Sequence, residues 1–295
     1  MARHLGLHKM TAYGYIQELA SNCKEPWETS KELSPQWEGF LVIDGDFLRV
    51  AKRRYSLLIG VDAKTQDIPD ALLAPHEDAR HWIRFLNSLD RIEYPVKGIT
   101  SDADPAIQAA VRAVLPHVPY QLCVRHFFKG LIHTLRYRLT QKRGYWREND
   151  RLLEAAHQML YAHSFAQAKQ YLTAICIDPG FKKAGLFPLI EHIEAHFSQL
   201  TQHHFYPGMP RTNNIAEGVI SRLDAKINRT GGFEFQRTAW ATLKMLIMWY
   251  RFKKFTDCRK PNKQNNGKCP LEIAKVDASN IDWITFSQKS IRHHF

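Results

Sequence analysis

The sequence predicts an α/β protein in which a mixed sheet, flanked by helices, is interrupted by a long all-helical segment. Strand-like apolar runs begin at Trp37 and crowd the next 90 or so residues. Every pattern between about residues 127 and 208 instead has helical period. The strand runs also come in an order that mixes short hairpin connections with helical crossovers, which only a mixed sheet accommodates.

Taken in order, residues 1–22 read as helical: Leu5-Gly6-Leu7 is a tight turn, and a helix runs from about His8 to Leu19. This pattern fits the second half of a helix-turn-helix, or an ordinary helical hairpin. A complete three-helix unit would need residues ahead of Met1. Residues 23–36, polar and containing Pro, read as a linker. FLVIDGDFLRV and YSLLIGVDA are then two strands, and QDIPDALLAP a weaker third because of its Pro. Short turns between them predict an antiparallel meander. HEDARHWIRFLNSLDRI is a helix with Ala79, Ile83, Leu86 and Leu89 at helical spacing. VKGITSD, DPAIQAAVRAVL and PYQLC read as strand, helix and strand, and VRHFFKGLIHTLRYRL opens a further helix. The order βββ-α-β-α-β-α is the ribonuclease H-like arrangement, here expected over residues 37–126. Residues 127–210 form the helical insertion, 211–256 the closing helices and 257–295 a basic tail.

Composition narrows the function. The 295 residues carry 41 Lys and Arg against 29 acids, a net charge of +12, and so favour a polyanionic partner. No apolar run approaches the roughly 18 residues of a membrane span, and MARHLGLHKM has no secretory core. Five scattered cysteines argue against a disulfide framework and fit a reducing, cytoplasmic setting.

Phosphodiester chemistry by two divalent ions, about 3.5–4 Å apart, needs carboxylates converging from several elements. Asp44 follows the run Phe40–Ile43, and Asp102 ends the strand Val96–Ser101, so neighbouring strands would project both from one edge. Asp104, before Pro105, reads as a helix N-cap. Asp46 lies on the same strand face as Asp44 and competes with it, while Asp62 reads as a turn residue. In RTNNIAEGVISRLDAKINR, Ile215, Val219, Leu223 and Ile227 form a stripe that faces a core. Glu217 lies off it, on the side of Asn213, Ser221, Asp224 and Asn228. Spacing alone leaves Glu217 a solvated residue. Thr212, Asn213 and Asn214 are good helix caps, and Arg211 beside them suits a phosphate contact.

Three segments together resemble the DDE transposases of the Mutator-like superfamily and their bacterial insertion-sequence relatives. VIDGDF is similar to the family's strand ending in Asp-Gly. ITSDADPAIQAAVRAVLPHVPYQLCVRHF is similar to its Ser-Asp, helix, short strand and Cys-x-x-His, here Cys123 and His126. RTNNIAEGVISRL is similar to its Thr-Asn-Asn-x-x-Glu block. The resemblance spans about residues 38 to 255. It implies that Asp44, Asp102 and Glu217 are the catalytic acids and hold two Mg²⁺ or Mn²⁺ ions. It implies that His126 contacts a DNA phosphate or orients an acid, and that some of Thr212, Asn213 and Asn214 approach the site or DNA. Water would attack the phosphodiester at the transposon end, and the freed 3′-hydroxyl would then attack target DNA. Double-stranded DNA, as transposon ends and target, is the implied partner of a homo-oligomer, nucleoid-associated when bound and with no membrane role.

Cys123 and His126 also have half the spacing of a zinc site. Neither Cys258 with Cys269 nor His203 with His204 completes it convincingly, so zinc is not expected. The stretch Arg136, Arg138, Lys142, Arg143, Tyr145, Trp146 and Arg147 is expected to face DNA. Trp249-Tyr250-Arg251-Phe252-Lys253-Lys254 reads as a DNA-backbone track or as core. Two further readings stay open: a domesticated or truncated, inactive transposase that only binds DNA, and a ribonuclease H-like nuclease acting on RNA or junctions.

Overall fold

The computed structural model describes residues 8–141, 146–227, 232–259 and 262–289. Two helices come first, α1 (Lys9–Ser21) and α2 (Pro26–Leu33). A meander of β1 (Phe40–Val50), β2 (Arg53–Asp62) and β3 (Ala71–Ala74) follows. Next come α3 (Ala79–Ser88), β4 (Gly98–Ser101), α4 (Pro105–Val114) and β5 (Tyr120–Leu122). The helical insertion comprises α5 (Val124–Gln141), α6 (Trp146–Leu160), α7 (Phe165–Ile177), α8 (Pro179–Lys183) and α9 (Phe187–Leu200). Then α10 (Asn214–Ile227) and α11 (Gln236–Phe252) return to the sheet, before the short α12 (Pro270–Ile273) and α13 (Trp283–Ser287).

The five strands form one sheet in the order β3-β2-β1-β4-β5. β1 is antiparallel to β2 and β2 to β3, while β4 is parallel to both β1 and β5. This is the ribonuclease H-like arrangement that the element order predicts. Strand alternation sends β1 side chains to two layers. Leu41 and Ile43 pack with Trp82, Phe85 and Ile107 under α3 and α4. Val42, Leu48 and Val50 pack with Val219, Leu223 and Leu243 under α10 and α11. The insertion has its own core, in which Phe127, Leu152, Ile175 and Ile193 meet.

Several sequence expectations need correction. The stretch 23–36 is not a free linker, because α2 lies within it and is tied down. Ser30 Oγ donates to the Pro69 carbonyl, and the Pro26 carbonyl accepts from Arg251. Within the basic tail, the described residues up to 289 are packed on the fold: Cys269 and Leu271 are buried, and Lys24 N donates to the Ser287 carbonyl. On α3 the buried face is Trp82, Phe85 and Leu86, continuing to Leu89; Ala79 and Ile83 are only half-buried, because the bulkier rings take the sheet side. On α10, Ala216 and Ile220 join Val219, Leu223 and Ile227, and Ile215 turns partly outward.

In the segment Trp249–Lys254 the core reading holds for Tyr250 and Arg251. Tyr250 and Arg251 are fully buried, and Arg251 makes a two-pronged ion pair with Asp67, Nε to Oδ1 at 2.8 Å and Nη2 to Oδ2 at 2.8 Å. A planar guanidinium matches a carboxylate in this way, which is how such a charge tolerates burial. Only Lys253 and Lys254 of this segment are exposed cations. At the N-terminus, Leu5-Gly6-Leu7 lies outside the described residues. The helix that follows packs along α11 and carries the exposed Tyr13 and Tyr15.

Candidate active site

β1 outruns its parallel neighbour, because β4 pairs with it only from Phe40 to Val42. Asp44 therefore emerges where no strand covers its flank, and its parity with Val42 turns it toward α10. β4 ends at Ser101, so Asp102 leaves the sheet at the same edge. Asp104 takes the N-cap of α4, its carboxylate accepting from Ala106 N and Ile107 N, as Asp-Pro predicts. Asp62 is the expected turn residue: buried, it accepts from Gly39 N, Thr65 N and the Tyr94 hydroxyl.

What brings α10 to this edge is a short set of stitches. Thr100 Oγ1 donates to the Pro210 carbonyl, and Val124 N to the Arg211 carbonyl. Buried Cys123 donates its N–H to the Ser101 carbonyl. Its sulfur accepts backbone N–H groups of Asn213, His126 and Arg125, while burial pushes its thiol pKa up. Cys123 is thus a polar knot between the starts of α5 and α10. Asn213 stands at the start of α10, with Glu217 N donating to its carbonyl. Its side chain is fully buried and donates from Nδ2 to Asp44 Oδ2 at 3.1 Å.

Asp44, Asp46, Asp102, His126, Glu217, Ser221 and Asp224 line one open cleft. Like charges and burial make its chemistry. Burial first, and then the charges of Asp102, Glu217 and Glu77, push the Asp44 carboxyl up to about 7 against the N–H of Gly45. Burial also raises Asp102; the Asp104 N–H and His126 oppose the shift, and the Asp104 carboxylate adds to it. Two turns along α10 from Glu217, Asp224 is raised to about 6 by burial and by Asp46, with which it shares a hydrogen bond. The competitor for Asp44 is therefore engaged with Asp224.

Glu217 is held from both sides. Arg125 Nη1 lies 2.9 Å from Oε2, and His126 Nε2 lies 3.3 Å from Oε1. Arg125 also donates to Asn214 Oδ1 at 2.8 Å. Sequence reasoning passed over Arg125 and Glu77. Arg125 occupies a variable position inside Cys-x-x-His, and its adjacency to His126 was the available signal. Glu77 packs against Gly45, where a Cβ would come 2.3 Å from Glu77 Oε1 and make that carboxylate shift. Arg211 is exposed, its guanidinium over Tyr161 at 4.8 Å, and Thr212 is half-buried. Among the expected DNA-facing residues of the insertion, Arg136 and Arg147 are exposed. Lys142, Arg143 and Tyr145 lie outside the described residues, as do the side chains of Arg138 and Trp146 and all of Asn228.

A family model described as "Transposase, Mutator family" matches residues 40–234, a span that holds all three expected acids and the whole insertion. The chain belongs to the Mutator family of transposases. None of the curated proteins matches it. Among solved structures the chain is similar to the HTLV-2 integrase catalytic core domain in complex with magnesium. The trimeric form is 16% identical over 44% of this chain and 88% of that one, with a TM-score of 0.26. The dimeric form is 15% identical over 44% and 89%, again at 0.26. The simian T-cell lymphotropic virus intasome in complex with PP2A regulatory subunit B56 gamma is 16% identical over 44% and 51%, at 0.24. Likenesses this slight decide nothing about the chain, and its fold rests on strand order and register.

A divalent ion is what the family resemblance implies, and the donor set suits one: hard carboxylate oxygens, mutually repelling, beside two buried polar atoms, His126 Nδ1 and Asn213 Oδ1, that have no partner. Among the described residues no group of three or more His, Cys, Asp or Glu side chains stands ready to hold a metal ion as arranged. In this arrangement both oxygens of Glu217 are engaged by Arg125 and His126. No helix among the described residues is long and apolar enough to cross a membrane.

Proposed function

We propose that this chain is a DNA transposase that cleaves and joins strands at transposon ends with Asp44, Asp102 and Glu217 as its catalytic acids. The observation that carries the reading is the convergence of three acids, from β1, the end of β4 and α10, on one cleft. That cleft raises the Asp44 carboxyl to about 7, so the acids repel until a cation joins them. These three residues would hold two Mg²⁺ or Mn²⁺ ions. Bound ions of this kind neutralise charge developing on phosphoryl oxygens and lower the pKa of water. Asn213 orients Asp44 through its amide, and Gly45 N fixes the other Asp44 oxygen. Arg125, exposed at the mouth of the cleft, is placed to take a phosphate oxygen when Glu217 lets it go. Asn214 lies beside it, its side-chain oxygen accepting from Arg125.

Double-stranded DNA is the proposed substrate, both as transposon end and as target, and the protein works on it as a homo-oligomer. The net charge of +12 supports this partner. The test is strand transfer on DNA carrying the ends that flank the gene, with Mg²⁺ or Mn²⁺, comparing wild type with Asp102→Ala. Joined products that vanish in the variant support the reading. A second reading, a transposase-derived protein that binds DNA without cutting, is favoured by one observation: Arg125 and the His126 ring engage both Glu217 oxygens. Equal binding of the ends by both proteins, with no cleavage by either, would select it.

A further inference from the structure

The β1–β2 hairpin continues past the acids well beyond the helices that cover its base. Its pairing runs from Leu41↔Asp62 out to Val50↔Arg53. One face of this outer ribbon is covered, because Leu48 and Val50 pack under α10 and α11. The opposite face is bare. It carries Phe47, 48% exposed, then Arg49, with Arg54 directly across the ladder from Arg49. Lys52 sits at the turn, and Arg53 completes a group of four exposed cations.

Nothing in the fold requires this group, and two features count against it energetically. Arg49 and Arg54 are like charges directly opposite, a pairing that destabilises a ladder. Among the described residues, neither they nor Lys52 nor Arg53 has an acidic side chain within ion-pair distance. The turn itself puts Ala51 and Lys52 at φ of 49° and 64°, where glycine or asparagine is usual. Yet the tip is held firmly. Ala51 N donates to the Phe233 carbonyl and Phe233 N to the Arg49 carbonyl. The Arg54 guanidinium lies 3.8 Å from the Phe47 ring centroid, which spreads its plane over an apolar base.

We infer that this bare face of the β1–β2 hairpin docks DNA backbone beyond the acids, on the ribbon face opposite the one Asp44 shares with Leu48 and Val50, with Arg49, Arg54 and Lys52 on phosphates and Phe47 against the sugar edge. The inference rests on the transposase reading above and adds a surface to it. Five residues of strand separate Arg49 from Asp44, about 17 Å at about 3.4 Å per residue. That equals roughly five base-pair steps of duplex. That is the offset along the strand; Asp44 and Arg49 project to opposite faces, so the strip takes a stretch of duplex separate from the scissile phosphate. The mutual repulsion of Arg49 and Arg54 is compensated by a polyanion laid along the strip.

The experiment is duplex binding by the full chain, read by fluorescence anisotropy on about 30 base pairs of transposon end across a salt series. Wild type is compared with the Arg49→Ala/Arg54→Ala double variant and with Phe47→Ala. Loss of two phosphate contacts lowers the salt slope by about 1.8 and weakens binding about 10- to 100-fold at 0.1 M salt or so. The thermal midpoint of the double variant stays level or rises, because a like-charge pair is removed; a merely structural role would lower it. Unchanged affinity and slope in the double variant, with wild type binding normally, would overturn the hairpin assignment alone. Wild type that fails to bind the duplex at all would instead remove the transposase reading on which it rests.

Discussion

Replacing Asp44 with Asn is expected to stabilise the metal-free protein at and above neutral pH. The Asp44 carboxyl is pushed up to about 7 by burial and by Asp102, Glu217 and Glu77. An unfolded aspartate titrates near 3.9. Three units at about 1.36 kcal/mol each set a ceiling of about 4 kcal/mol on the cost of ionising it in the fold. The cleft is open to water, so screening brings the expected gain to about 1–2 kcal/mol. The sign follows from proton affinity. The folded state holds the Asp44 proton more tightly than the unfolded state, so this group contributes stability below about 4 that is lost as pH rises to about 7. Asn does not titrate. The variant's advantage is therefore near zero at about pH 4, grows to about pH 7 and is level above it. The substitution fits the site, because Asn can keep accepting from Gly45 N. Asn213 can turn its amide so that the unpartnered Oδ1 accepts the new N–H. Urea unfolding followed by circular dichroism, in chelator and across this pH range, measures the difference. A variant no more stable than wild type, or a gap that ignores pH, would refute the reasoning.

Arg251→Ala is expected to cost about 3–5 kcal/mol of unfolding free energy by stranding buried Asp67, whereas Arg251→Met with Asp67→Leu recovers most of it. Equal denaturation midpoints for the single and double variants would contradict that. Arg125→Ala frees Glu217 and removes a competing cation. Mn²⁺ affinity, read by electron paramagnetic resonance, is expected to rise about 3- to 10-fold. No change, or weaker binding, would show that Arg125 does not restrain the acid. Cys123→Ala leaves three backbone N–H groups without their sulfur acceptor and is expected to destabilise by about 1–3 kcal/mol, with Cys123→Ser milder. A neutral Cys123→Ala in thermal unfolding would deny the knot its role.

Strands β1, β2 and β4 were legible because apolar runs with β-branched residues end in turn residues or acids, whereas Ala71–Ala74 and Tyr120–Leu122 contain no β-branched residue. The β1 run Phe40–Ile43 stops at an acid, which is where the parallel pairing with β4 ends. Asp104 was legible as a cap because Asp-Pro has one favoured use. Glu217 was not legible from spacing, since a helix side facing a cleft and one facing water look alike in sequence; family resemblance singled it out. The α2 helix was hidden because eight residues are too few for periodicity to show. The same limit concealed the folded character of the segment after Phe252, whose two helices have four and five residues. Arg251 misled because a basic residue among aromatics reads as a surface cation. Its burial depends on Asp67, far away in sequence and brought close only by the fold. Arg125 was missed for a related reason: its partners Glu217 and Asn214 come from another helix.

The account's central claim is that Asp44, Asp102 and Glu217 share divalent ions in one cleft. The most direct measurement is a crystal of the protein on transposon-end DNA, soaked in Mn²⁺ and read by anomalous scattering. The account predicts manganese peaks bounded by these three carboxylates, with Arg125 moved from Glu217 to a phosphate oxygen. Peaks elsewhere, or none in a protein that still joins strands, would contradict it.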